Sequence, residues 1–119
     1  LKSLILVNNG NMKFEVRELP SSVQYSCMYA MEKLDVNNDG YYDIIMGGNL
    51  YNVQPEMGRY DASYGHVLIN NKKGQFTDES KRYNFSVKGE IRSIIADADY
   101  LYIFRNNDSV LSYKINHGN

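Results

Sequence analysis

The chain of 119 residues has no tryptophan and a single cysteine, Cys27, so no disulfide can form within it and cysteine usage says nothing of redox compartment. A buried, inert Cys27 is the simpler reading. Basic residues are in no excess: 13 Lys and Arg stand against 14 Asp and Glu, a net charge of -1. With no cationic surplus to neutralise phosphates, nucleic acid is a poor partner. No apolar run approaches the roughly 20 residues that span a bilayer, and no basic-then-apolar leader opens the chain, so no membrane insertion is expected. No segment sustains a 3.6-residue apolar period, so little helix is expected. Also missing are a Gly-rich phosphate loop, zinc-ligand spacing and a Ser-His-Asp pattern. His66 and His117 are the only histidines, and neither stands beside a Ser or Cys in a nucleophile motif. His66 alternates with apolar neighbours and reads as packed. Nothing points to an enzyme.

What is present is short apolar runs rich in β-branched and aromatic residues, bounded by Asn, Asp and Gly. They predict strands near 3-8, 12-18, 25-34, 42-47, 64-70, 75-79, 90-96, 100-105 and 110-115. Tight hairpins are expected at Asn8-Asn9-Gly10, Asn70 to Gly74 and Asn106-Asn107-Asp108. A hydrophobic content of 43% and a charged content of 23% suit a folded, globular chain. Eleven tyrosines and four phenylalanines are expected mostly in core and cross-strand packing.

An internal repeat organises these runs. Ser3-Leu4-Ile5-Leu6-Val7-Asn8-Asn9 followed by Phe14 resembles Gly65-His66-Val67-Leu68-Ile69-Asn70-Asn71 followed by Phe76, and Asp35 and Asp97 each end an apolar run. Asn8 and Asn70, Phe14 and Phe76, and Asp35 and Asp97 all stand 62 positions apart. A fixed period of this size indicates a repeat architecture. The expected fold is all-β and antiparallel, made of propeller blades: one complete four-stranded blade flanked by partial ones. Residues 1-20 would end a preceding blade, 25-80 form the complete blade, and 88-116 form a degenerate following blade. Open edges at both ends would need cover, and the absence of an initiator Met fits a fragment of a longer, processed protein whose remaining blades supply it.

Chemistry concentrates in Asp35-Val36-Asn37-Asn38-Asp39-Gly40-Tyr41-Tyr42-Asp43. Oxygen-bearing side chains fill positions 1, 3, 5 and 9, with Gly at 6, a spacing that resembles the start of an EF-hand loop. Calcium takes hard oxygen ligands, and a tight loop can wrap them about one ion. Asp35, Asn37, Asp39 and Asp43 would supply side-chain oxygens and Tyr41 its carbonyl. Met46 stands at position 12 in place of the bidentate Glu, and no helical pattern flanks the loop. A strand-loop-strand calcium site follows, with magnesium disfavoured because it keeps its waters.

The stretch from Leu34 to Asn49 resembles the calcium-containing FG-GAP repeat of integrin-type propellers and its bacterial VCBS relatives. Gly47-Gly48-Asn49 replaces the Gly-Ala-Pro-like end, which disfavours the animal integrin subgroup. The stretch Gly58-Arg59-Tyr60-Asp61-Ala62-Ser63-Tyr64-Gly65 resembles a segment of large surface-exposed bacterial members. The resemblance implies a β-propeller, an extracellular, cell-surface or periplasmic location, and a calcium ion bracing the blade through Asp35, Asn37, Asp39 and Asp43.

Elsewhere, Asp97 and Asp99 form a poor cage and read as a turn. Glu32 and Glu90 read as solvated strand-edge charges. The long segment from Asn49 to Ser63 is expected to dock on a neighbouring blade or to contact a ligand through Arg59, Tyr60 and Asp61. The expected function is therefore a non-catalytic calcium-binding scaffold or ligand-binding module of a larger protein. Two alternatives stand beside it: a non-catalytic part of a propeller-containing enzyme, and a carbohydrate-binding or adhesive module. A protein or carbohydrate ligand is the corresponding partner.

Overall fold

The computed structural model describes residues 3-25, 27-49, 65-87, 91-97, 99-106 and 108-115. Nine strands lie in them: β1 (Leu4–Asn8), β2 (Phe14–Glu18), β3 (Cys27–Leu34), β4 (Asp43–Asn49), β5 (His66–Asn70), β6 (Phe76–Asp78), β7 (Ile91–Asp97), β8 (Tyr100–Arg105) and β9 (Leu111–Lys114). Each falls on one of the runs that the apolar pattern marks as a strand, and the described residues contain no α-helix. No helix among them is long and apolar enough to cross a membrane.

The strands form three antiparallel sheets in chain order, β1-β2, β3-β4-β5-β6 and β7-β8-β9. They do not close into a ring among the described residues. Tight turns explain the adjacency of β1 with β2 and of β5 with β6, because a short Asn- and Gly-rich link returns the chain directly alongside itself. In the β5-β6 link, Asn70 Oδ1 accepts from the Lys72 amide at 2.9 Å and Asn71 Oδ1 from the Lys73 amide at 2.8 Å. The β1-β2 link uses the same device, with Asn8 Oδ1 accepting from the Gly10 amide at 2.9 Å. Short polar side chains here replace backbone hydrogen bonds that the reversal leaves open.

The main core lies between the second and third sheets. Ala30, Ile45 and Val67 of the former meet Ile91, Ile94, Leu101 and Ile103 of the latter, with Phe85 and Val87 from the connecting segment between them. The Phe85 and Tyr113 rings stand 5.5 Å apart. Gly47 in β4 is required by this contact, since a Cβ there would lie 2.5 to 2.8 Å from the side chain of Ile91. The aromatic residues divide: Phe85, Tyr83 and Tyr113 pack in this core, whereas Tyr29, Tyr41, Tyr42 and Tyr100 are exposed.

Glu32 does not match its reading as a solvated edge charge. It is half-buried, and its Oε2 accepts from the Ala96 amide of β7 at 3.0 Å. A carboxylate here satisfies a backbone donor of the adjacent sheet, a contact across 64 positions that periodicity does not encode.

A second cluster covers the opposite face of the four-stranded sheet, where Met46 and Leu68 pack on Val23. Val23 sits in a 3₁₀ turn, Ser21–Tyr25, that the strand pattern does not announce. Its side chain is fully buried, which stabilises the turn by about 1.5–3 kcal/mol relative to an exposed valine. Gln24 ties the same turn to β1 by donating to the Ser3 and Leu19 carbonyls at 3.0 and 3.1 Å.

Candidate metal centre

The loop from Asp35 to Tyr42 joins β3 to β4, whose ends pair through Leu34 and Asp43. Two positions in it hold positive φ, Asn38 at 60° and Gly40 at 89°. Glycine adopts the left-handed region at no steric cost and asparagine tolerates it, so the sequence permits the sharp wrap. The carboxylates fix the rest. Asp35 accepts from the Asp39 amide at 3.1 Å through Oδ1 and from the Gly40 amide at 2.8 Å through Oδ2, and Asp39 Oδ1 accepts from the Tyr41 amide at 2.9 Å.

Asp43 is the unusual member, a carboxylate with no solvent exposure at the start of β4. Its Oδ2 accepts from the Val36 amide at 2.9 Å and its Oδ1 from the Asn70 amide of β5 at 2.8 Å. The Asn70 side chain adds a 3.3 Å donation to the Tyr42 carbonyl. Burial pushes the Asp43 carboxyl above the usual carboxylate range. The Asn70 and Val36 amides oppose that shift, and the charges of Asp39 and Asp35 add to it.

Asp35, Asp39 and Asp43 thus converge, each offering an oxygen within 4.8 Å of the others. Like charges at that separation repel by roughly 3 kcal/mol per pair at an effective dielectric near 20, before water screens the half-exposed members. Asn37 faces the same point. Its side-chain amide lies 3.2 Å from Asp35 Oδ1 and 3.2 and 3.3 Å from the Asp39 oxygens, and with its nitrogen turned to them it donates to both residues. A half-turn of the amide would present its oxygen instead.

A common cation fits this donor set. Two oxygens on one calcium, each at about 2.3–2.6 Å, stand no more than about 5 Å apart, a limit that the three carboxylates meet. The converging groups are all hard oxygens, with no sulfur or imidazole among them, which suits calcium over softer metals.

Of the five residues expected at the site, the structure brings Asp35, Asn37, Asp39 and Asp43 together. Tyr41 lies in the loop with an exposed side chain. Met46 is packed in the second core cluster, away from any ligand position. Asn70 was legible only as a hairpin residue, and its hold on Asp43 spans 27 positions. Asp97 and Asp99 are exposed and flank the link into β8, where Asp97 pairs with Tyr100. Arg59, Tyr60 and Asp61, with the rest of residues 50-64, lie outside the described residues, as do Glu90 and the Cys27 side chain.

A second polar group, unannounced by the sequence, sits on the other side of the four-stranded sheet. His66 is 1% exposed, packed as its apolar neighbours imply, and its Nδ1 lies 2.8 Å from Asp78 Oδ2. Ser22 of the 3₁₀ turn donates to that oxygen, and Ser80 donates to Oδ1 through its hydroxyl and its amide. Burial pushes the Asp78 carboxyl up, but the donors on His66, Ser22 and Ser80 outweigh it and hold the group well below the usual carboxylate range. Its folded value lies below the unfolded one near 3.9, so the ionised group contributes stability above about pH 4. That contribution is lost as pH falls through the unfolded value toward the folded one. Asp78→Asn is expected to flatten the decline in denaturation midpoint between about pH 5 and pH 2, measured by urea unfolding across that range.

Compared with known proteins, the chain matches no protein-family model, no curated protein and no solved structure.

Proposed function

We propose that this chain is a calcium-binding β-propeller module of the FG-GAP or VCBS type, serving as a non-catalytic scaffold or ligand-binding part of a larger extracellular or surface protein. One observation carries the reading: a fully buried carboxylate, Asp43, with Asp35 and Asp39 turned toward it at distances that one calcium shell accommodates. Burying an ionised carboxylate beside two others is costly unless a cation shares the site. The four-stranded antiparallel sheet in simple chain order has the strand content of a blade. A bound ion would bridge β3, β4 and, through Asn70, the start of the β5-β6 hairpin, so that calcium braces the sheet.

Terbium, a calcium substitute with the same preference for oxygen, tests this directly. Tyr41 and Tyr42 lie in the loop beside the carboxylates, so tyrosine excitation should sensitise terbium emission, and calcium should quench it by displacement. Asp39→Ala should remove the sensitised signal. Emission that calcium does not displace, or that persists in the variant, would count against the site.

A further inference from the structure

A sheet edge that meets no strand leaves backbone donors and acceptors open to pairing, and β1 has such an edge. Among the described residues it pairs with β2 alone. The Leu19 amide donates to the Ser3 carbonyl at 3.2 Å and the Asn9 amide to the Lys13 carbonyl at 2.9 Å, so the odd-numbered residues of β1 bond toward β2. Backbone groups alternate sides along an antiparallel strand, which turns those of Leu4, Leu6 and Asn8 to the open edge. We propose that this edge accepts an extended strand from another repeat of the same kind, one that opens on an aspartate and carries apolar residues one and three places after it.

The chain holds the completed counterpart of this edge 62 positions on. Hairpin β1-β2 pairs Leu6 with Val16 and Asn8 with Phe14, and hairpin β5-β6 pairs Leu68 with Asp78 and Asn70 with Phe76, in the same register. On β5 the corresponding edge is taken by β4, with Ile44 opposite Leu68 and Met46 opposite His66. Asn70 closes that pairing: its backbone amide donates to Asp43 Oδ1 at 2.8 Å and its Nδ2 to the Tyr42 carbonyl at 3.3 Å. Asn8 makes the same turn bond as Asn70, accepting through Oδ1 from the Gly10 amide, yet its own amide and Nδ2 have no partner among the described residues. It carries the donor half of the clamp that holds Asp43.

That correspondence fixes the chemistry of the occupant. An aspartate beside Asn8 accepts from its amide, and the carbonyl before that aspartate accepts from its Nδ2. The residues one and three places later then lie opposite Leu6 and Leu4, which are 60% and 48% exposed, whereas their counterparts Leu68 and His66 are buried under neighbouring groups. Cross-strand apolar contact drives the addition, and the aspartate sets its register. The β4 strand of a second folded copy is paired on both edges and cannot be the donor. The inference rests on reading the chain as one stretch of a repeat protein, and it needs no ion, because the carboxylate of Asp43 bonds the Asn70 amide directly.

The test adds a synthetic peptide with the sequence Tyr41-Tyr42-Asp43-Ile44-Ile45-Met46-Gly47-Gly48, capped and extended by lysines for solubility, to the isotope-labelled chain. Saturable shifts and slowed hydrogen exchange are expected at the amides of Leu4, Leu6 and Asn8, which face the open edge. Asn8→Ala should weaken binding about tenfold, the loss of one hydrogen bond. Asn8→Asp keeps the acceptor for the Gly10 amide, so its turn is preserved, and it should weaken binding further by setting a carboxylate against the peptide's own. A peptide carrying Asp43→Ala should bind at least tenfold more weakly. No saturable shift, shifts confined to another edge, equal binding of the alanine peptide, or affinity unaltered in both Asn8 variants would overturn the proposal. Because β1 shares no residue with the loop from Asp35 to Asp43, running the titration in chelator separates its failure from failure of the metal site.

Discussion

Calcium at a hundredfold excess over its dissociation constant should raise the thermal midpoint of the chelated chain by roughly 10 °C. A ligand that binds only the folded state at that excess stabilises it by about 2.7 kcal/mol. For a chain of this length each kcal/mol moves the midpoint by roughly 3–5 °C. The folded loop supplies what the unfolded chain cannot, since Asp35, Asp39 and Asp43 converge only when β3 pairs with β4 and Asn70 anchors Asp43. Asp39→Ala should lose most of the calcium effect. In chelator the same variant should melt no lower than the parent, because removing one of three crowded carboxylates relieves repulsion. That reversal of sign separates a metal site from a hydrogen-bonded turn: in a turn, losing the bond from the Tyr41 amide to Asp39 Oδ1 lowers stability with or without calcium. Thermal unfolding by circular dichroism in calcium and in chelator reads both effects.

The second large effect is steric. Gly47→Ala would place a Cβ 2.5 to 2.8 Å from three atoms of the Ile91 side chain, one of them its branched Cβ, which has little freedom to retreat. Overpacking of this kind costs roughly 1–3 kcal/mol. Ile91 is fully buried between the second and third sheets, so Ile91→Ala should cost roughly 2–5 kcal/mol through the cavity it leaves. The two changes fill and empty the same space. The double variant should therefore be more stable than the sum of the single losses implies, by roughly 0.5–3 kcal/mol. Additive losses in urea unfolding would mean that the two sheets do not meet at this point.

The strands were legible because short apolar runs rich in β-branched and aromatic residues recur along the chain, bounded by Asn, Asp and Gly. In β7 and β8 the buried Ile94, Leu101 and Ile103 alternate with more exposed neighbours, and Asn- and Gly-rich links close the β1-β2 and β5-β6 hairpins. The loop was legible for a related reason, since its oxygen donors stand at fixed short spacing. What escaped depends on contacts between distant segments. Val23 is a single apolar residue among polar ones in the turn Ser21–Tyr25, and its burial is set by Met46 and Leu68 from another part of the chain. Glu32 looks like a surface charge until β7 presents the Ala96 amide to it. The grouping of His66 with Asp78, Ser22 and Ser80 likewise brings together three separate elements. Period and spacing encode what a strand does locally, and they are silent about which neighbour it meets.

Calorimetric titration of calcium into the chelated chain is the most direct measure of whether the carboxylates at Asp35, Asp39 and Asp43 hold an ion. Saturable heat at one ion per chain is expected, with that heat lost in Asp39→Ala and in Asp43→Asn. A native chain that gives only dilution heat, or variants that bind as the native chain does, would contradict it.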